Sequence, residues 1–394
     1  MENNEYDFDK SYECIAGMGG LQFYPHQGDS PITGLSDFHE RNRDWIFGHL
    51  SYDYKNHIDE LHSDNYDRIN FPDAFFFIPE LVFIISEHEV RIGAEEGYDT
   101  ARLMKEIYAV VLSSEENEAP ELSSRFSRVE YIDSVTQLQQ QIARGDCYEI
   151  CFCQEFFSEN AEINPIDVYL KLNTISPNPF SAFYKYQDKF LMCASPERFL
   201  KNVENNIISQ PIKGTARRAL NDLIEDEQQR NSLSLNPKER AENTMIVDLV
   251  RNDLSKVCAK GSVEVKEFLE IYSFPQVHQM ISTIGGKLKD GVKIEEIFHA
   301  TFPMGSMTGA PKKRAMELIE KYERTRRGLY SGTVGYIAPN GDFDFNVVIR
   351  SILYNEKRKY LSVNAGSAIT NKSNSEKEFE ECMIKLEAMK KALL

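Results

Sequence analysis

The chain has 394 residues, of which 41% are hydrophobic, and its formal net charge at neutral pH is −17. A chain of this length can bury a large core and fold without a disulfide framework. Polyanions repel so acidic a protein on average, so the composition disfavours nucleic acids and anionic membranes as partners. The acidic start, MENNEYDFDK, lacks the basic and then apolar order of a signal peptide, and we expect a cytoplasmic protein.

The first part of the chain is rich in predicted strands. Segments 45–54 (WIFGHLSYDY) and 74–93 (AFFFIPELVFIISEHEVRIG) combine aromatic and β-branched residues between turn signals. The longest apolar stretch, 75–85, is interrupted by Pro79 and Glu80 and is shorter than the roughly 20 residues that a spanning helix needs. We therefore expect no membrane span.

A polar segment with a proline, SSEENEAPELSSR at 113–125, is the best candidate for a linker. After it, the pattern predicts a capped amphipathic helix, a stop at Gly145 and then a strand. Cys147, Cys151 and Cys153 lie in this stretch, and without a second Cys/His pair at zinc-like spacing we interpret them as core thiols. An odd total of seven cysteines favours reduced thiols in the cytosol.

Three later segments, 180–201, 332–354 and 359–370, also have the pattern of strands, and Asn340–Gly341 supplies a hairpin turn. Hairpins alternate irregularly with long predicted helices. This order predicts an α+β fold whose sheets are partly antiparallel.

Two predicted helices carry pairs of glutamates three residues apart, Glu239 with Glu242 and Glu378 with Glu381, so each pair shares one helix face. Glu239 and Glu378 also stand where a capping-box acid would bond the helix start, and this structural role is common. Glu242 and Glu381 lie one turn further on. If the helices face each other, the four carboxylates need a divalent cation between them. The expected helix caps are Asn236, which precedes Pro237, and Ser375.

Nine short motifs follow one another from about residue 125 to the end of the chain. They are SPERF (195–199), PIKGT (211–215), RAENTMIVDLVRNDL (240–254), VHQMIST (277–283), FPMGSMTGAPKKRAMELI (302–319), YSGTVGY (330–336), VVIRS (347–351), NAGSAI (364–369) and EFEEC (378–382). In this order they resemble the motifs of the chorismate-utilising enzymes, which include anthranilate synthase component I, aminodeoxychorismate synthase component I, and the isochorismate and salicylate synthases. An ordered set is far more specific than any single match.

The resemblance implies an α+β fold of the anthranilate synthase component I type. Two stacked, largely antiparallel sheets would carry helices on the outside and the active site in a cleft. An N-terminal β-rich region, 1–120, would be woven into the same body as a chorismate-binding catalytic region, 121–394. The linker candidate would then be only a surface loop.

Chorismate carries two carboxylates and must lose its C4 hydroxyl, which is a poor leaving group. The resemblance implies that Glu242 and Glu381 ligate Mg²⁺, which clamps the ring carboxylate. It also implies that Glu239 and Glu378 hold the waters of the ion or assist proton transfer.

For the second carboxylate, on the enolpyruvyl arm, the resemblance implies Arg350 as a bidentate fork. The other implied substrate contacts are the Tyr330 hydroxyl and the backbone N–H groups of Gly214, Thr215, Gly366, Ser367 and Ala368. In isolation, the glycines would indicate turns and Arg350 a surface ion pair. Ala368 departs from the family, which usually has a glycine there.

Two further residues are implied near the C4 hydroxyl. His278 corresponds to a family histidine that donates a proton or orients the substrate, although a single histidine before apolar residues is more typical of a protein interior. Glu197 in SPERF resembles the acid close to C4. The alternative for Glu197 is an ion pair with Arg198 or Arg217.

Lys213 in PIKGT separates the branches of the family, because anthranilate synthases carry alanine there. Aminodeoxychorismate synthases with lysine use its amine to attack C2 as the C4 hydroxyl leaves; ammonia then adds at C4 and expels the lysine. Since a free amine is mostly protonated at neutral pH, the pocket must depress its pKa or supply a base. In the simpler alternative, Lys213 only pairs with a substrate carboxylate. Glu149 departs from the glutamine that nitrogen-transferring members usually carry, and from the water-activating lysine of the isochorismate and salicylate synthases.

The resemblance implies chorismate and ammonia as substrates in 4-aminobenzoate and folate synthesis. It implies a separate glutamine amidotransferase subunit as partner, since the sequence has no G-x-C-x-G nucleophile elbow. The alternative within the family is anthranilate synthase component I. An alternative of another class is an RNA-binding or regulatory protein that uses 312–327, where seven Lys/Arg stand against three acids. Such a run is more often a solvated helix face, and it lacks interleaved aromatic residues.

Overall fold

The computed structural model describes residues 1–4, 6, 12–24, 31–111, 119–274 and 277–394. The helices in this part of the chain are α1 Leu35–Asn42, α2 Lys55–Asp59, α3 Thr100–Ala109, α4 Arg128–Ala143, α5 Pro165–Ile175, α6 Leu223–Leu235, α7 Pro237–Val257, α8 Ile294–Thr301, α9 Lys312–Tyr322 and α10 Ser375–Ala392. The strands are β1 Cys14–Met18, β2 Gln22–Phe23, β3 Ile46–Leu50, β4 Ala74–Ile78, β5 Leu81–Ile85, β6 Val90–Ala94, β7 Ser123–Ser124, β8 Glu149–Ser158, β9 Phe180–Tyr186, β10 Lys189–Ser195, β11 Arg198–Val203, β12 Asn206–Gln210, β13 Ile212–Arg217, β14 Glu264–Ser273, β15 Val277–Lys287, β16 Gly309–Ala310, β17 Thr333–Ile337, β18 Phe343–Asn346, β19 Ser351–Asn355 and β20 Tyr360–Thr370.

Two large antiparallel sheets form the framework. The first has seven strands in the order β16-β8-β20-β19-β10-β9, with β7 paired to β8. The second has ten strands in the order β13-β15-β12-β11-β18-β17-β3-β4-β2, with β14 paired to β15. A separate sheet of three strands, β1-β5-β6, was not expected from the sequence. The α+β class and the largely antiparallel pairing are confirmed.

Alternation along β8 divides the hydrophobic interior in two. Cys151 and Cys153 belong to a core that draws side chains from both large sheets. Ile150 and Phe152 point the other way, into a second core that α4, α5, α9 and α10 cover. Because a strand turns successive side chains to opposite faces, β8 contributes to both cores. All seven cysteines are free thiols, and six of them are buried, as the core interpretation predicts.

Strands from the first part of the chain complete the ten-stranded sheet. β3 pairs with β17, with Leu50 opposite Thr333, and β3 also pairs with β4. The apolar stretch 75–85 divides at Pro79 into β4 and β5, which belong to different sheets. For the end of segment 45–54, the prediction of a strand is wrong, because Tyr52–Tyr54 form a 3₁₀ turn.

The linker candidate is only partly within the described residues, since 113–118 lie outside them. Its other end is not a linker, because β7 (Ser123–Ser124) pairs with β8 at the side of the seven-stranded sheet. The boundary between 1–120 and 121–394 stays a prediction.

The helix starts follow the sequence closely. The Asn236 side chain accepts hydrogen bonds from the backbone N–H groups of Lys238 and Glu239 at 3.0 and 3.4 Å, so the predicted cap of α7 is confirmed. The prediction of Ser375 as the cap of α10 is wrong by one position, because Asn374 accepts from the N–H of Lys377. No described helix is long and apolar enough to cross a membrane.

A buried ion pair supports β8. Arg327 and Glu323 are 3% and 6% exposed, and Arg327 Nη2 lies 2.6 Å from Glu323 Oε1. Arg327 also donates to the carbonyl oxygens of Cys151 and Met307, and Glu323 accepts from the N–H of Cys153. The pair therefore fixes the backbone of β8 near the start of the strand at Glu149.

We predict that Arg327→Met lowers the free energy of unfolding by about 3–5 kcal/mol, because Glu323 would be left buried without its partner. Urea unfolding measures the change. Arg314→Met is the matched control: Arg314 pairs with Asp146 and Glu317 but is 41% exposed, so its loss should remain below about 1 kcal/mol. Equal losses in the two variants would contradict the support given to β8.

Candidate active site

A cavity of about 440 Å³ lies where β8, β13 and β20 meet α7 and α10. This volume is in the range of small-molecule sites, about 300–1,000 Å³. Twelve of the residues singled out in the sequence line it: Glu197, Lys213, Gly214, Thr215, Glu239, Glu242, Tyr330, Arg350, Gly366, Ser367, Ala368 and Glu381. His278 and Glu378 are not in its wall.

An ion pair joins β13 to β8 at this cavity. Lys213 Nζ lies 2.8 Å from Glu149 Oε1, and the two side chains are 10% and 1% exposed. Burial alone would lower the pKa of Lys213, but the negative charges of Glu149, Cys151 and Glu242 raise it above its ordinary value. Of the two expected alternatives, a depressed pKa does not apply to this arrangement, because a carboxylate lies at hydrogen-bond distance from the amine.

The two predicted glutamate pairs are brought together through a lysine. Lys238 of α7 donates from Nζ to Glu378 Oε1 of α10 at 2.7 Å and lies 3.7 Å from Glu242 Oε1. On the other side, Lys385 Nζ lies 2.6 Å from Glu381 Oε1. Buried carboxylates tolerate one another only where cations offset their charge. In this structure the lysines do so.

The four carboxylates are in different electrostatic states. Burial raises the pKa of Glu242 to about 8, although Lys213 and Lys238 oppose the shift. Burial also acts on Glu381, but Lys385 holds the pKa of this carboxyl below its usual value. Among the described residues, Glu242 Oε1 and Glu378 Oε2 are buried and have no hydrogen-bond partner. These two oxygens have unused acceptor capacity.

Within the described residues, no three His, Cys, Asp or Glu side chains converge closely enough to hold a metal ion. The expected four-carboxylate cluster is therefore not assembled in this conformation, because Lys238 is inserted between Glu242 and Glu378. The donor chemistry nevertheless fits Mg²⁺, which prefers carboxylate oxygens and water. Two buried oxygens without partners are where a cation would be favourable.

Arg350 supplies a further cation in the cavity wall. Its guanidinium makes no ion pair or hydrogen bond that is found among the described residues, and burial lowers its pKa. Its φ is +51°, a left-handed conformation that is uncommon for a residue with a side chain. Tyr330, 4% exposed, lies in the same wall with its hydroxyl 3.7 Å from the Cys153 sulfur. The alternative of a surface ion pair for Arg350 is wrong, because the side chain faces the cavity.

Two glycines of the cavity wall have clear structural reasons. A Cβ on Gly366 would lie 2.2 Å from the Phe152 carbonyl oxygen, so β20 can approach β8 only with glycine there. Gly214 has a φ of +92°, and a Cβ there would lie 3.1 Å from Glu239 Oε2. Both positions thus place backbone against neighbouring groups at distances that a side chain would prevent.

The structure does not bring His278 to the cavity. Val277 and Gln279 line the wall, and alternation along β15 turns His278 to the opposite face. There its ring nitrogens contact the Ser273 hydroxyl at 2.8 Å and Asp226 Oδ1 at 3.1 Å. His278 is therefore not in the cavity wall, and the alternative of an interior histidine with satisfied partners describes it; the role near the C4 hydroxyl stays a prediction.

Glu197 lies in the cavity wall and is 3% exposed. Burial raises its pKa to about 7, and the charge of Lys213 limits the shift. The alternative ion pairs are wrong: Arg198 bonds Asp344 at 3.0 Å, and Arg217 lies 4.0 Å from Glu387. A carboxyl with this pKa is protonated in part of its population at neutral pH.

Among the wall residues that sequence reasoning did not assign to the site are Lys238, Lys385 and Cys151, the last of which was interpreted as a core thiol. A usable signal existed for both lysines, because Lys238 precedes Glu242 by four residues and Lys385 follows Glu381 by four. For Cys151 the signal was its spacing of two from Glu149 on one strand, which places both side chains on one face.

Four of the seven basic residues in segment 312–327 are ion-paired. They and their partners are Lys312 with Asp253, Arg314 with Asp146 and Glu317, Arg324 with Glu130, and Arg327 with Glu323. Basic side chains that are paired with acids bind phosphates weakly, since each would first lose its partner. The feature that suggested the RNA-binding alternative is therefore weakened.

Comparison with known proteins agrees with the motifs. The family model described as chorismate binding enzyme matches residues 21–391, and the chain belongs to this family. The chain is 36% identical over 405 residues to a relative from Arabidopsis thaliana named aminodeoxychorismate synthase, chloroplastic, with 95% of this chain and 43% of that protein covered. It is 33% identical over 361 residues to aminodeoxychorismate synthase component 1 of Bacillus subtilis, with 88% and 76% covered.

Other relatives carry the name anthranilate synthase component 1. Among solved structures, anthranilate synthase component I from Streptococcus pneumoniae superimposes with a TM-score of 0.82, at 23% identity, and covers 99% of this chain and 95% of that one. The fold is therefore the anthranilate synthase component I type. The chain spans less than half of the Arabidopsis relative and about three quarters of the Bacillus relative.

The raised pKa of Glu197 predicts a pH effect on stability. Between the ordinary value of 4.5 and about 7, the folded chain keeps a proton that the unfolded chain has lost, so this residue lowers stability as pH rises through that window. Glu197→Gln cannot ionise. Relative to the native protein, its unfolding free energy should rise by about 1–3 kcal/mol between pH 5 and pH 8. Glu380→Gln, on the exposed face of α10, should show no such change, and parallel curves for all three proteins would contradict the assignment.

Proposed function

We propose that this chain is the aminating component of an aminodeoxychorismate synthase, which converts chorismate and ammonia into 4-amino-4-deoxychorismate for 4-aminobenzoate and folate synthesis. The observation that carries the proposal is the Lys213 amine, buried in the wall of the cavity of a chorismate-binding chain and held against a carboxylate. The relatives named aminodeoxychorismate synthase support the same activity.

Binding of a dicarboxylate needs donors at two ends of the cavity. Arg350 offers an unpaired guanidinium fork for the enolpyruvyl carboxylate, and the Tyr330 hydroxyl lies in the same wall. Backbone N–H groups of Gly214, Thr215, Gly366, Ser367 and Ala368 are the further proposed contacts. The absence of a side chain at Gly366 keeps this surface flat.

We place Mg²⁺ among the paired glutamates, with Glu242 and Glu381 as ligands and with Glu239 and Glu378 holding its waters. Bound there, the ion would neutralise the ring carboxylate and polarise the substrate. Two unpartnered buried oxygens, Glu242 Oε1 and Glu378 Oε2, support the placement. Lys238 must move away from these oxygens when the ion binds, because its ammonium now lies beside both carboxylates.

In the proposed reaction, the neutral amine of Lys213 bonds to C2 while the C4–O bond breaks. The leaving hydroxyl needs a proton, and the Glu197 carboxyl, with a pKa of about 7, is the donor that the cavity offers. Ammonia then adds at C4, and the C2–N bond breaks to return the lysine. His278 is assigned no proton transfer; its bonds to Asp226 and Ser273 suit a residue that positions β15.

The ammonia source is proposed to be a separate glutamine amidotransferase subunit. The chain carries no nucleophile elbow for glutamine hydrolysis in its sequence. We expect the reaction to take place in the cytoplasm, where the seven free cysteines would stay reduced.

Anthranilate synthase component I is the second candidate, because relatives with that name match the chain and the fold is the same. The two activities differ in their products. Purified chain incubated with chorismate, Mg²⁺ and ammonium should form 4-amino-4-deoxychorismate without pyruvate. Fluorescent anthranilate with one pyruvate per turnover would overturn the proposal in favour of the second candidate.

Lys213→Ala and Lys213→Arg should each lower the amination rate by more than about 10³-fold, because neither variant can form the bond to C2. The arginine variant keeps the positive charge and so separates the nucleophile from a simple partner of a substrate carboxylate. Product chromatography measures the rate, and Lys377→Ala, exposed on α10, is the control. Native activity in the arginine variant would assign Lys213 a charge role only.

Glu242→Gln should weaken Mg²⁺ binding at least about tenfold through loss of a charged ligand. Lys238→Met should strengthen it by about tenfold, because a competing cation is removed. Calorimetric titration with Mg²⁺, without chorismate, measures both effects. Lys377→Met changes the net charge equally but lies on the surface, so its affinity should stay native. An unchanged affinity in either test variant would count against this metal site.

A further inference from the structure

The pair of Lys213 and Glu149 poses a problem for a nucleophile. Lys213 Nζ lies 2.8 Å from Glu149 Oε1, and within the described part of the chain this is the one ion pair of Lys213. An ammonium group has no lone pair, so the amine must lose a proton before it can bond to carbon. The charged groups that face or influence it come from β8, α7, α10 and the loop before β11; they are Glu149, Cys151, Glu239, Glu242, Glu381 and Glu197.

Loss of this proton to bulk water is unfavourable. Burial favours the neutral amine, but the surrounding negative charges outweigh burial and raise the pKa of Lys213. A donor that remains charged across the neutral range would leave only a small fraction of free amine. The proton therefore needs an acceptor inside the cavity.

Glu149 meets the geometric requirements of that acceptor. Its Oε1 atom lies at hydrogen-bond distance from Nζ, so the proton already points at it. Among the described residues, its Oε2 atom is buried and has no hydrogen-bond partner, so this oxygen is free to accept a hydrogen bond while Oε1 faces the amine.

We propose that Glu149 is the general base that takes the proton of Lys213 and frees its amine for attack on the substrate. This inference rests on the proposed amination. The proton passes from Nζ to Oε1, the nitrogen lone pair bonds to C2, and the C4 hydroxyl leaves as water with a proton from Glu197.

The second half of the cycle restores both groups. Ammonia bonds to C4 while the C2–N bond breaks, and its electron pair returns to Lys213 as a neutral amine. Glu149 then gives the proton back to Lys213, and Glu197 takes one from the new C4 ammonium group. Chorismate and ammonia yield the amino product and water, and no oxidant or further reactant is needed.

The test measures adduct formation in one turnover without ammonia, by rapid quenching and mass spectrometry of the intact chain from pH 6.5 to 9.5. The native rate of adduct formation should not rise between pH 7 and pH 9, because the amine gives its proton to Glu149, and it should fall as Glu197 loses its own proton above its pKa of about 7. Glu149→Gln keeps a hydrogen-bond acceptor but no base. At pH 7 it should be slowed more than about tenfold, and the ratio of its rate to the native rate should rise about tenfold per pH unit.

The slow rate is expected in the glutamine variant because the amide cannot accept the proton and an amine of ordinary pKa is mostly protonated at pH 7. Glu149→Asp, which retains a carboxylate, should regain part of the rate and the native profile. Glu155→Gln changes a buried carboxylate on the same strand that pairs with Arg125 outside the cavity, and should keep the native profile.

Each outcome has a distinct meaning. A glutamine variant as fast as the native protein at pH 7, with the same profile, overturns the base role and makes Glu149 only a brake on Lys213. A native rate that itself rises tenfold per pH unit overturns the inference without any variant. If the native protein forms no adduct at all, the covalent step of the proposed function fails first.

Discussion

The site depends on holding many ionisable groups in a small buried space. The carboxyl groups of Glu197, Glu239, Glu242 and Glu381 line the cavity with the basic groups of Lys213, Lys238, Lys385 and Arg350, and Glu149 and Glu378 pair with Lys213 and Lys238. Burial makes every unpaired charge costly, so the groups either pair closely or keep their protons. Burial raises the pKa values of Glu197 and Glu242, so these two carboxyl groups keep their protons more readily than exposed ones.

The sequence was informative where a signal is local. The cap at Asn236 and the spacing of the glutamates define the start of α7 and the face that reaches the cavity. The ordered motifs identified most of the cavity wall and the sheet architecture. Lys238 precedes Glu242 by four residues on α7, so helix spacing also places its side chain beside the carboxylates.

The side-chain positions that the sequence did not predict depend on strand register and on contacts between residues far apart in the chain. His278 was misplaced because the wall of the cavity alternates along β15, and β13 meets β15 with an irregular register between Ile212 and Thr215. The contact between Lys213 and Glu149 joins strands of different sheets, and the periodicity of neither segment predicts this contact. Placing these side chains required the three-dimensional arrangement of both sheets.

The pairing of β3 with β17 has a consequence for biosynthesis. Leu50 and Thr333 are neighbours in the sheet, yet the ribosome adds the second long after the first has emerged. Until then, the aromatic strand Ala74–Ile78 and its neighbour have no complete sheet to join. Such non-local pairing delays native closure until almost the whole polypeptide is made. During translation, the nascent chain therefore exposes an unpaired strand edge to which chaperones can bind.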